Sequence, residues 1–157
     1  MGAPSATSRE TPSGIKLDDG YQTLITVLAD PDISVWEKSI TPPGLDGGDA
    51  NDTTTMHNVT YRTFSPRALK TMTEMTTTVA YDPDIYDEIL AVINEETTIT
   101  VTFPDGSTLA FFGYVRVFAP SEVVEGTQPE ATITIQPTNQ DSDGAEQGAV
   151  MTEGEGT

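Results

Sequence analysis

Thr97-Thr98-Ile99-Thr100-Val101-Thr102-Phe103-Pro104-Asp105-Gly106-Ser107-Thr108-Leu109-Ala110-Phe111-Phe112 is the stretch that decides the fold. Residues 97–103 alternate hydroxyl and apolar side chains with period two, the pattern of a strand buried on one face. Threonine, isoleucine and valine branch at Cβ, which favours the extended backbone. Pro104-Asp105-Gly106 is a turn signal between two such runs, so the stretch reads as a β-hairpin. Gly113 to Phe118 continues or pairs beyond it.

Working outward, the same signature recurs. Gly20 to Leu28 reads as a strand stopped at Asp30-Pro31-Asp32, and Ile33 to Ile40 as a strand buried on one face. Thr41 to Asp52 holds two prolines, three glycines and three aspartates and reads as a long loop, the kind that is usually functional or disordered. Strand character returns from Thr53 through Phe64, and again from Thr71 to Tyr81. One helix is expected over Asp84–Asn94, capped by Asp82, opened by Pro83, and striped by Ile85, Ile89, Val92 and Ile93. After an acidic loop at 122–130, Ala131 to Ile135 is a last alternating strand, ended by Pro137. Residues 1–14 read as an N-terminal arm, 15–138 as the β domain, and 139–157 as an acidic, flexible C-terminal tail.

Composition agrees with one β-rich domain. The chain has 157 residues, 26 of them threonine, and no apolar run approaching the ~20 residues of a membrane span. Cysteine is absent, which removes disulfides and thiolate chemistry together. Seven basic residues face 25 acidic ones, a formal charge of −18, so binding nucleic acid by neutralising phosphates is disfavoured. Repulsion is nevertheless useful wherever DNA must slide past a surface without sticking.

Motifs for catalysis are weak. His57 is the single histidine and has no nucleophile elbow to serve, so no enzyme activity, cofactor or metal is expected. Asp46, Asp49 and Asp52 bring carboxylates close in sequence, but Gly48 and Ala50 stand where a calcium loop needs oxygen ligands. Phe111, Phe112, Tyr114 and Phe118 are expected in a packed β core.

Several pieces, taken in order, carry a resemblance. Asp52-Thr53-Thr54-Thr55 follows the glycine-rich loop, then Tyr61-Arg62-Thr63-Phe64-Ser65-Pro66-Arg67-Ala68-Leu69, then Glu74 in a threonine-rich strand. Tyr81-Asp82-Pro83-Asp84 opens the helix. Thr102-Phe103-Pro104-Asp105-Gly106, Ala110-Phe111-Phe112-Gly113-Tyr114-Val115 and Ala131-Thr132-Ile133-Thr134-Ile135-Gln136-Pro137 complete the series. Over Thr41–Thr138 the chain resembles the major tail tube proteins of long-tailed (siphovirus-type) bacteriophages, a family related to the type VI secretion tube protein.

That resemblance implies a mainly β fold with one helix, a two-sheet β-sandwich or rolled β-barrel of the tail tube type. It also implies homo-hexameric rings stacked into a tube that conducts DNA into the host. Expected partners are the tape-measure protein and the tail-tip and terminator proteins. The expected locations are the virion tail and, during assembly, the host cytoplasm. The alternative is a monomeric acidic β-sandwich module binding carbohydrate or calcium. Within the tube reading, Leu45, Asp46, Gly47, Gly48, Asp49, Asn51 and Asp52 belong to a ring-stacking loop, Thr41–Asn58, that orders on assembly. Glu74 is the candidate lumen-facing charge, and the arm at 1–14 is expected to lie on a neighbouring subunit.

Overall fold

The computed structural model describes residues 23–27, 35–104 and 106–153. The N-terminal arm and the outer parts of the first two expected strands lie outside the described residues.

The expected hairpin forms as β8 (Thr97–Thr102) and β9 (Thr108–Pro120), antiparallel, with Thr97 opposite Gly113 and Thr102 opposite Thr108. It is the centre of one seven-stranded sheet. To one side lies β1 (Leu24–Val27). To the other come β10 (Glu130–Pro137), β7 (Met75–Ala80) and the edge strand β2 (Glu37–Thr41), while β11 (Val150–Thr152) also pairs with β9. The sheet curls, so the rolled form of the expected fold is realised rather than two stacked sheets. Its two edge strands come within hydrogen-bond reach: the Ile25 amide donates to Glu37 Oε1 at 3.0 Å.

Alternation explains the curl. Met75, Val79, Ile99, Val101, Leu109, Phe111, Val115, Ile133 and Ile135 all point to one face and are buried there. Burying such side chains is worth about 1.5–3 kcal/mol each, so the sheet closes around them. Helix α1 (Pro83–Val92) packs against the same side through Ile89 and Val92, with Asp82 capping it by accepting from the Asp84 amide at 3.1 Å. It stops two residues short of the expected end. Ile93 is already extended, and Asn94 takes φ of 63° while its amide bonds to the Val115 carbonyl.

Three sequence expectations need correction. The strand expected over Thr71–Tyr81 is two pieces, β6 (Thr71–Met72) and β7, and both Met72 and Met75 are buried. Strict alternation would place 72 and 75 on opposite faces. The chain changes phase at Thr73-Glu74, where Thr73 exchanges hydrogen bonds with Gly44. The strand expected over Thr53–Phe64 is only β5 (Phe64–Ser65); Met56 to Thr60 is turn and bend. Finally, residues 139–153 are not simply a solvated tail. Asn139 Oδ1 accepts from the Met72 amide and its Nδ2 donates to Thr71, both at 2.9 Å, and β11 adds to the sheet. An acidic composition does not report such specific backbone partners.

Candidate assembly surfaces

Between β2 and β7 the chain leaves the sheet and returns as a long hairpin arm, residues 41–73. Two short ladders stiffen it: β3 (Leu45–Asp46) pairs with β6, and β4 (Asn51–Asp52) pairs with β5. Beyond them the Thr53 amide donates to the Thr63 carbonyl at 2.9 Å, and the Thr63 amide to Thr54 Oγ1 at 2.9 Å. Asn58 closes the tip, accepting from the Thr55 amide and donating to the Tyr61 carbonyl, both at 2.9 Å. His57 is exposed at that tip. The segment expected to be an adaptable loop is thus hydrogen-bonded within a single subunit. The available signal was the density of Asp, Asn and Thr at 51–55 and 58, residues that bond their own neighbouring backbone.

Each expected loop residue has a place in the arm. Leu45 sits opposite Met72, with its side chain exposed. Asp46 accepts from the Gly48 amide at 2.8 Å across Gly47, and the turn uses Gly48 at φ of 80°, a region glycine enters without penalty. The Asp49 carbonyl accepts from Arg67 Nε at 2.8 Å, tying the two sides of the arm. Asn51 pairs with Ser65 and Asp52 with Phe64. Hydrogen bonds from the Thr54 side chain and amide, with Arg62 adding to them, hold the Asp52 carboxyl below its ordinary value of 3.8. Asp46 and Asp52 therefore spend oxygens on local turns, and among the described residues no three metal-binding side chains converge.

Apolar side chains crowd the arm's surface. Leu45, Met56, Val59, Tyr61, Phe64 and Leu69 are all more than half exposed, with Met56 and Val59 essentially bare. Six large apolar groups on 33 residues of hairpin is more than scattered surface hydrophobes explain, and such concentrations mark interaction sites.

The second surface is the sheet face opposite the core. Thr76 stands opposite Thr134 and Thr41, and Thr78 opposite Thr132 and Ser39. Thr98, Thr100, Thr102 and Thr108 continue the hydroxyl array across the hairpin, with Phe112, Tyr114 and Gln136 among them. The four aromatics expected in the core are accordingly divided. Phe111 is buried, Phe118 packs near Tyr81 and Tyr86, and Phe112 and Tyr114 lie half-buried on the threonine face.

Charges gather at the irregularities of the sheet. A register shift opposite Thr134/Ile135 leaves Arg116 as the extra residue of β9, and a second shift leaves Lys38 as the extra residue of β2. Each projected base finds an acid. Arg116 Nη2 lies 2.8 Å from Glu74 Oε1, and Lys38 pairs with Glu130. Glu74, expected as a lone charge, is half of a neutral pair.

No protein-family model matches this chain, and no curated protein matches it in sequence. Among solved structures it is similar to a chain of the anti-feeding prophage baseplate, determined by cryo-EM with sixfold symmetrisation. The TM-score is 0.57 at 7% identity, and the match covers 85% of this chain and 92% of that one. The likeness is one of fold.

Proposed function

We propose that this protein is a non-catalytic structural subunit of a phage-tail-like particle, which self-assembles into hexameric rings that stack into a tube conducting DNA. The observation carrying the proposal is the fold shared over 85% of the chain with a component of a sixfold baseplate. Two surface features support it. A stiff arm with six exposed apolar side chains suits contacts between subunits. The threonine face offers a neutral wall on a chain of charge −18. In a bore lined by hydroxyls the cation beside Glu74, Arg116, is already paired with that carboxylate, while the surrounding negative field repels DNA from the wall.

In this reading the arm is the ring-stacking element, including Leu45, Asp46, Gly47, Gly48, Asp49, Asn51 and Asp52. Glu74 remains the candidate charged group of the bore, now as a pair with Arg116. Tape-measure, tail-tip and terminator proteins would be its assembly partners, with the virion tail its final location after assembly in the host cytoplasm. Electron microscopy and sedimentation of the purified protein test the reading. Rings or tubes are expected at high protein concentration. Monodisperse monomers at all salt and protein concentrations would sink it, and calcium or sugar binding by those monomers would favour a binding module.

A further inference from the structure

The formal charge of −18 is unevenly placed. Residues 41–73 contain three acids (Asp46, Asp49 and Asp52) and three bases (Arg62, Arg67 and Lys70), so the arm is neutral and the rest of the chain carries the whole deficit. Part of that deficit is concentrated on α1 and its flanks. From Asp82 to Glu96 there are six acids and no base. On the outer side of the same helix two large apolar side chains are exposed, Tyr86 at 49% and Leu90 at 61%, beside Asp87. Ile89 and Val92 face the core, and the Tyr86 ring meets Phe118 edge-on with half of its surface still exposed, so Tyr86 and Leu90 lie outside the helix's main packing face.

We propose that the arm of one copy docks on the outer face of α1 of a second copy. Tyr61, Phe64 and Leu69 would meet Tyr86 and Leu90, and Arg67 and Lys70 would face Asp87 on the same flank of the helix. The inference rests on the self-assembly reading and names the receptor surface for the arm. Two like bodies of net −18 repel one another, so a stable contact needs a patch where that repulsion is relieved. The neutral, base-bearing arm is such a patch, and α1 joins exposed apolar groups to dense acid on a rigid element. The loop at 122–130 also shows Val123 and Val124 with nearby glutamates, but it is a turn-rich connection rather than a regular element.

The absence of cysteine in the chain makes the test clean. Leu69→Cys and Leu90→Cys proteins, mixed under assembly conditions and oxidised, are expected to give a covalent heterodimer. Leu69→Cys mixed with Val123→Cys is expected to give none, because a disulfide needs Cα atoms within about 7 Å. Independently, the Lys70→Glu protein should lose assembled mass about tenfold or more at low salt, with its melting temperature unchanged. Asp87→Lys should behave likewise, and mixing the two variants should restore mixed assemblies. Wild-type assembly with cross-linking at Val123 instead, or with charge reversals that neither weaken nor rescue, overturns this contact and leaves the tube reading standing. Wild-type protein that never assembles overturns both.

Discussion

Gly113→Ala places one methyl group where β9 meets both β8 and β10. Gly113 is buried, opposite Thr97 on one side and Pro137 on the other. A Cβ there would lie 2.5 Å from the Gln136 carbonyl oxygen and 3.2 Å from both the Gln136 carbonyl carbon and Pro137 Cα. All three are backbone atoms, so no rotamer change relieves the overlap, and β10 must move by nearly an ångström. Overpacking of this kind costs about 1–3 kcal/mol, and the upper end applies when backbone must yield. The alanine also restricts the unfolded chain, which offsets about 0.4–1 kcal/mol. A net loss of about 2 kcal/mol remains. For a chain of this size each kcal/mol lowers the melting temperature by about 2–4 °C, so the drop should be about 4–8 °C. Thermal unfolding followed by circular dichroism measures it directly. A melting temperature within about 1 °C of wild type would refute the reasoning, because it would mean that β9 and β10 do not approach as closely as the structure shows.

Asp82→Ala removes the helix cap and should cost about 1 kcal/mol by the same thermal assay, while Asp82→Asn should restore most of it. Glu74→Gln should change stability by less than about 1 kcal/mol, because both partners of the Arg116 pair are over two-fifths exposed; a larger loss in thermal unfolding would show a structural role that the geometry does not give. Glu74→Lys would set two bases side by side, so in an assembled tube that passes DNA it should slow DNA release if these residues line the bore; unchanged release would remove Glu74 from it. Asp52, whose folded-state carboxyl is held below 3.8, contributes stability present above the unfolded value and lost as pH falls through the lower folded one. The Thr54 amide signal in an NMR titration should therefore shift with a midpoint below 3.8, and a midpoint above it would contradict the hydrogen bonding at the arm.

The sequence by itself determined that the domain is β-rich with one helix, and where its central hairpin and helix cap lie. Those features are local. Alternation in 97–102 and 131–135, the turn at 104–106, and the Asp82-Pro83 start each depend on residues a few positions apart. The tertiary structure alone decided that the sheet rolls rather than stacks, that the base of the arm at 41–73 is anchored by the C-terminal segment, and that Glu74 is paired. Each of these depends on partners distant in the chain: Ile25 with Glu37, Asn139 with Thr71 and Met72, Glu74 with Arg116. A phase change such as the one at Thr73-Glu74 costs nothing that a period-two reading can detect, since it becomes favourable only when Met72 and Met75 find the same core. The direction each acid faces was likewise undetermined by composition, because charge counts carry no geometry until the fold brings a base within 3 Å of one carboxylate and leaves another in water.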